Sequence, residues 1–343
     1  MFRRTVVQLT FLCFAGVAGA QVLPPDPATP SGDFAPDQPP TILRKLPTDV
    51  ILVKGAEPSA SDHATALPEE GAVAKNAYQN SYFGLSYPLP ADWEESFKGP
   101  PPSDHGGYVL ANILPGKSFK GPIKGTILFT AQDIFFGRRT FENAKALIAD
   151  RQEHLEPYYD VEHAQSEVTI AGRKFARFDY ESKAAGLHWA LLATQIRCHA
   201  VQFVLTSRDP ELIAALIKDM DRMTLPAEAG ATAGTGGGDR PVCVAGYVQG
   251  DNIIERVEPE LKDRHFNEIP VRLTIDKKGR VKHVHVISAF PDQSKAIIDA
   301  LLQWKFKPYL RDGNPVEVET GLMLGNTPHH APAGAITASR PSD

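Results

Sequence analysis

Four groups of residues in this sequence have types and spacings that could do chemistry. Ala111-Asn112-Ile113-Leu114-Pro115-Gly116-Lys117-Ser118 fits the loose pattern of a phosphate-cradling loop, which aims successive backbone N–H groups at an anion from the start of a helix. Pro115 removes one N–H, and Phe119-Lys120-Gly121-Pro122 does not open a helix, so the stretch reads as a turn ending a strand. His283 and His285 stand at i and i+2 of a strand and share a face, as two metal ligands would. No further ligand has recognisable spacing, so they read as surface histidines, and His329-His330 as part of a solvated tail. No metal and no cofactor is expected.

Cys198 and Cys243 are the cysteines left once the first 20 residues are set aside, and an exported chain would carry them into an oxidising compartment. Two arrangements are open. A bridge between them would stabilise by ~4 kcal/mol through loop-closure entropy, or they are separate thiols with Cys198 buried in its strand. The carboxylates Glu94 and Glu95, and Glu317 and Glu319, have no convergent base beside them in sequence. No G-x-S-x-G, H-E-x-x-H or catalytic Cys-His spacing occurs, so the chain is expected not to be an enzyme.

At 343 residues and 42% hydrophobic, the chain is long enough for two or three domains with real cores. A net charge of −5, with no basic face, disfavours nucleic acid as a partner. Residues 1–20 read as an export signal: Arg3 and Arg4, an apolar run from Val6 to Val17, then Ala18-Gly19-Ala20 before Gln21. The apolar run is shorter than the ~20 residues of a membrane span, which places cleavage between Ala20 and Gln21 and the product in the periplasm or outside the cell. If the signal is retained, the chain is anchored in the inner membrane, its one membrane contact. Residues 21–75, rich in Pro, Ala, Asp and Ser, read as a disordered leader. Residues 227–241 read as a Gly/Ala-rich linker and 327–343 as a disordered tail, leaving folded units at 76–226 and 242–326.

In the first unit, Tyr82-Phe83-Gly84-Leu85-Ser86-Tyr87-Pro88 and Trp93 predict an entering hairpin. Strands follow at 107–114 and 125–133, then a helix from Thr140 to about Glu156 with Thr140 as its cap. Closely spaced strands over 161–206 and a helix starting at Asp209-Pro210-Glu211 close the unit. In the second, Val271, Leu273 and Ile275 alternate with polar neighbours as in a strand with one buried face. Gly279 turns the chain into a strand over 280–288. Pro291-Asp292 starts a helix striped by Ile297, Leu301 and Trp304, expected to stop near Pro308. After the Asp312-Gly313 turn, Val316, Val318, Thr320, Leu322 and Leu324 form the last strand, with Glu317 and Glu319 on its other face. The fold class is α+β.

The second unit resembles the C-terminal domain of the TonB energy-transducer family over residues ~245–326. The likeness is carried by Ile275-Asp276, Gly279-Arg280-Val281, Trp304-Lys305-Phe306-Lys307-Pro308 and Asp312-Gly313-Asn314-Pro315-Val316. Ile253-Ile254-Glu255-Arg256-Val257-Glu258-Pro259-Glu260 resembles the family's lead-in, although Leu261-Lys262 stand where its Tyr-Pro pair would be. The segment before residue 21 lacks the histidine of the family's Ser/His anchor pair. A small β-β-α-β domain is implied, as is a protein partner, namely an extended periplasmic segment of an outer-membrane receptor, and a link to TonB-dependent transport. Such a guest would add to the edge of a three-stranded sheet at Val316, Glu317, Val318, Glu319, Thr320, Gly321 and Leu322. Glu317 and Glu319 would then select cationic or polar guests. The first unit resembles the PsbP-like α/β/α fold through Phe83-Gly84-Leu85-Ser86-Tyr87-Pro88, Trp93 and its closing helix. A different reading makes that unit an envelope ligand-binding or assembly factor, and a remote one makes the chain a hydrolase.

Overall fold

The computed structural model describes residues 57–116, 125–137, 139, 141–227, 241–261 and 267–325. The export segment with its Ala20/Gln21 junction, most of the leader, the glycine run of the linker, Lys117-Ser118, Thr140 and the tail with His329-His330 lie outside the described residues.

The described chain opens with β1 (Ala60–Ser61) and a 3-10 turn at Pro68–Glu70. The meander β2 (Ala72–Ala74), β3 (Ala77–Asn80) and β4 (Leu85–Pro88) follows, its second hairpin turned by Gly84 at a φ of 60°. Next come β5 (Trp93–Phe97), β6 (Gly107–Pro115), β7 (Gly125–Asp133) and α1 (Ala144–Glu153). β8 (Asp160–Ile170), β9 (Arg173–Ser182), β10 (Leu187–Ile196), β11 (His199–Ser207) and α2 (Pro210–Asp219) complete the unit. Its main sheet has seven strands, antiparallel throughout, in the order β5-β6-β7-β11-β10-β9-β8. One face buries Phe129, Phe175 and Phe203 beneath Tyr78 and Tyr87 of the meander and Leu216 of α2. The other buries Phe178, Tyr180 and Trp189 beneath Leu147 and Ile148 of α1. The helix starts at Ala144 rather than near Thr140 because the Asn143 side chain accepts the Ala146 N–H and caps it there.

The second unit contains β12 (Val242–Cys243), β13 (Ile253–Glu255), β14 (Ile269–Ile275), β15 (Val281–Val286), α3 (Pro291–Leu301), β16 (Lys305–Phe306), β17 (Leu310–Arg311), β18 (Asn314–Pro315) and β19 (Val318–Leu324). The expected strand, strand, helix, strand order is present as β14, β15, α3 and β19. The sheet, however, has five strands in the order β1-β15-β14-β19-β12. β1 comes from a segment assigned from composition to the leader, and β12 from the first two residues of the second unit, directly after the linker. β1 pairs with β15, with Asp62 N–H donating to the Val284 carbonyl at 3.2 Å, so the ordered chain starts well before residue 76. Ala60 and Ser61 have little apolar surface of their own; their order comes from the backbone groups of an existing strand, which composition does not show.

Two further boundaries moved. α3 ends at Leu301, and Trp304 leaves the helical stripe to sit in a turn, buried, with its indole N–H donated to the Val257 carbonyl at 2.7 Å. β19 begins at Val318, two residues after the expected start, since the Val316 N–H is taken by the Tyr309 carbonyl in the preceding turn. β14 is buried at all seven positions, not on alternate ones. Its apolar side chains meet α3, and the other side, carrying Arg272 and Thr274, lies against the seven-stranded unit.

Candidate functional site: the margin of the last strand

The expected docking strand is second from the edge of its sheet. On one side β19 pairs antiparallel with β14 from Val318 to Leu324. On the other, β12 lies parallel to it, Val242 opposite Val318 and Cys243 opposite Glu319. The N–H groups of Val242 and Val244 donate to the carbonyls of Glu317 and Glu319 at 2.8 and 3.0 Å. Of the seven residues expected at a free edge, Glu317, Val318 and Glu319 are therefore covered by the chain's own backbone. The alternation of an antiparallel strand aims the next outward amide groups from Gly321 and Met323. Neither has a backbone partner on that side among the described residues, and Met323 is exposed.

Glu319 does not face solvent as expected, and it does not wait for a guest. It is 1% exposed and its carboxylate accepts from Arg197 and, at 2.9 Å, from Arg272. Arg272 also donates to Asp133, the last residue of β7, and at 3.2 Å to the Cys198 carbonyl. The guanidinium lies over the Phe135 ring and 3.3 Å from His199 Nε2. Arg197 lies over the Tyr82 ring. The network spans both units, with Asp133, Arg197 and His199 from the seven-stranded one and Arg272 and Glu319 from the five-stranded one.

Burial sets the protonation of this network. Burial pulls Arg272 down, but the charges of Asp133, Tyr82 and Glu319 outweigh it and hold the guanidinium above its ordinary value. Burial raises Asp133, and Arg272 opposes that only in part. Burial, then the charges of Arg272, Arg197 and His285, keeps His199 well below its usual 6.5, so the imidazole is neutral. Gly321 sits in the same contact. A Cβ there would lie 2.5 Å from Phe135 Cβ and 2.8 Å from the Phe136 ring, so glycine is what lets the two units approach.

Cys198, in the turn from β10 to β11, is joined by a disulfide to Cys243 of β12, which binds the two units covalently beside this network. A cleft of about 1170 Å³ opens alongside, with Cys243, Val242, Glu319, Arg197, Tyr82 and Arg173 on its walls. His285 is not a surface residue, being buried where β1 pairs with β15, and His283 is half-buried beside Asp62. His283 Nδ1 contacts Asp62 at 3.1 Å, and His285 is buried 3.8 Å from Glu69. Glu317 pairs with Lys282 at 2.9 Å. Among the described residues Glu162, Glu181 and His188 bring three ligand atoms together, but the His188–Glu162 hydrogen bond at 2.7 Å and the Lys183–Glu181 pair already account for them.

Together these features define an α+β protein of two fused sheets, the smaller built as β-β-α-β. Residues 266–323 match the family described as Gram-negative bacterial TonB protein C-terminal, so this part of the chain is similar to that family. No curated protein matches the chain. Among similar solved structures is cyanobacterial PsbP from Synechocystis, 12% identical with a TM-score of 0.31, over 46% of this chain and 96% of that one. LpqN of Mycobacterium tuberculosis, involved in cell envelope biogenesis, is 14% identical with a TM-score of 0.30, over 49% and 92%. A Pseudomonas aeruginosa protein of unknown function described as a putative regulator is 16% identical with a TM-score of 0.27, over 45% and 97%.

Proposed function

We propose that this is a non-enzymatic protein of the cell envelope, exported to the periplasm, whose C-terminal unit holds an extended segment of a partner protein by strand addition along the outer margin of β19. The observation that carries this is the outward-facing amide row at Gly321 and Met323, continuous with the row where the chain's own β12 already pairs. Strand addition needs such a row and little else, because affinity comes from main-chain hydrogen bonds. The TonB C-terminal match supports a protein partner, and an outer-membrane receptor segment is the guest the resemblance implies. Selection by Glu319 is dropped, since that carboxylate is committed to two arginines.

A non-enzymatic role is supported by what surrounds the buried acid and base of the network. Asp133 and His199 lie 3.7 Å apart, as in a hydrolytic pair, yet both are fully buried and Asp133 is bound to Arg272. No described helix is long and apolar enough to cross a membrane. The test is capture of periplasmic proteins by the full chain carrying a photo-crosslinker at Leu324, compared with the same crosslinker in a Met323→Pro chain, which lacks the outward N–H. Crosslinks that survive the proline unchanged in identity and yield sink the strand-edge reading. The same products formed with a crosslinker on β8 would favour the seven-stranded unit as the working surface.

A further inference from the structure

The disulfide and the covered part of the β19 margin are one device. We infer that Val242–Cys243 is a self-strand occupying the guest position in cis, and that its bond to Cys198 locks it there until a dithiol exchanges with the bridge. This rests on the strand-addition reading above.

The seat is the first observation. β12 uses the carbonyls of Glu317 and Glu319, the groups that a guest continuing from Gly321 and Met323 would need next. The hold is the second. β12 is two residues long, its side chains are only half-buried, and a two-residue parallel ladder with the flanking Val242 and Val244 N–H donations fixes it to β19. A strand that short does not compete well with a longer guest unless something raises its effective concentration, and a covalent link does that. Access is the third: Cys243 lines the cleft, whereas Cys198 is fully buried. Finally, release leaves the sheet intact, because β19 keeps seven paired positions with β14 and Glu319 keeps both arginines.

The exchange balances with a dithiol as co-reactant. Its thiolate attacks Cys243 Sγ, forming a mixed disulfide and expelling the Cys198 thiolate, which takes up a proton. The second thiol of the reductant then attacks its own sulfur in the mixed disulfide, freeing Cys243 as a thiol, and the reductant leaves as its disulfide. Two electrons pass to the protein.

The test uses the full chain with and without dithiothreitol, and a synthetic peptide of residues 241–248 carrying Cys243→Ser as the probe in trans. Reduction is expected to raise amide hydrogen exchange at Val242 and Val244 while β10 and β11 stay protected. The reduced chain should bind the peptide at least about a hundredfold more tightly than the oxidised one. Cys198→Ser/Cys243→Ser should behave as the reduced chain without reductant. Unchanged protection at Val242 and Val244 after reduction overturns the lock. Opened amides with no gain in peptide binding show that the segment is releasable but that the margin is not a strand acceptor, which removes the reading beneath it. Loss of protection in β10 and β11 as well shows that the bridge holds the fold and not a gate.

Discussion

Arg272 of β14 and Asp133 of β7 belong to different sheets and meet in an ion pair closed to solvent, Asp133 being fully buried. The same guanidinium reaches Glu319, so one cation compensates two buried carboxylates, with Arg197 assisting at the second. This contact makes the two units one structure.

Removing one partner of such a cluster strands the others without water. Arg272→Met is expected to cost ~3–5 kcal/mol in urea unfolding, because Asp133 and Glu319 remain charged in a buried place. Arg272→Met combined with Asp133→Asn and Glu319→Gln should recover a large part of that loss. If the single and triple variants unfold alike, the network contributes no electrostatic coupling.

The bridge closes a sequence separation of 45 residues. Loop-closure entropy at that length corresponds to ~4 kcal/mol, so dithiothreitol should lower the melting temperature markedly. Alkylation before reduction should leave Cys198 and Cys243 unmodified by mass spectrometry. Two alkylated thiols in exported protein would show that the bridge is not made.

His199 gives the fold an acid-side weakness. Its folded value is depressed, so below 6.5 the unfolded chain takes up a proton that the folded chain refuses. Stability is then full above 6.5 and lost as pH falls from there toward the folded value, by about 1.4 kcal/mol per unit. Asp133 has the opposite sign: its folded value is raised above 3.8, so between the two values protonation favours the folded state. Thermal melts between about pH 7 and about pH 5 should slope downward with acid, and His199→Gln should flatten that slope. A slope unchanged by the substitution would assign the weakness elsewhere.

Gly321 faces Phe135 and Phe136 with no room for a methyl group. Gly321→Ala should destabilise by ~1–3 kcal/mol through overpacking, read from the urea midpoint. Gly321→Ala with Phe135→Leu should be milder than the first change alone. An alanine tolerated without cost would mean that the units can separate slightly at this point.

A good part of this was legible in the sequence. The alternation at Val271, Leu273 and Ile275, the Gly279 turn and the stripe at Ile297 and Leu301 each have a local cause, and each element is in place. Two cysteines allowed a bridge and a pair of thiols equally, and only their positions on neighbouring elements join them. Gly321 inside β19 is the one sequence signal of close approach on that strand.

What the residues decided alone is the identity and order of the elements, because hydrophobic period, caps and turns act over a few positions. What the tertiary structure decided is which surfaces are surfaces. Arg272 and Glu319 have the composition of a solvent face, and they lie buried because a second sheet from distant sequence supplies Asp133, Arg197 and a wall of aromatic rings. The fate of the β19 margin was decided in the same way, by Val242 and Cys243, whose backbone pairing leaves no trace in composition or period.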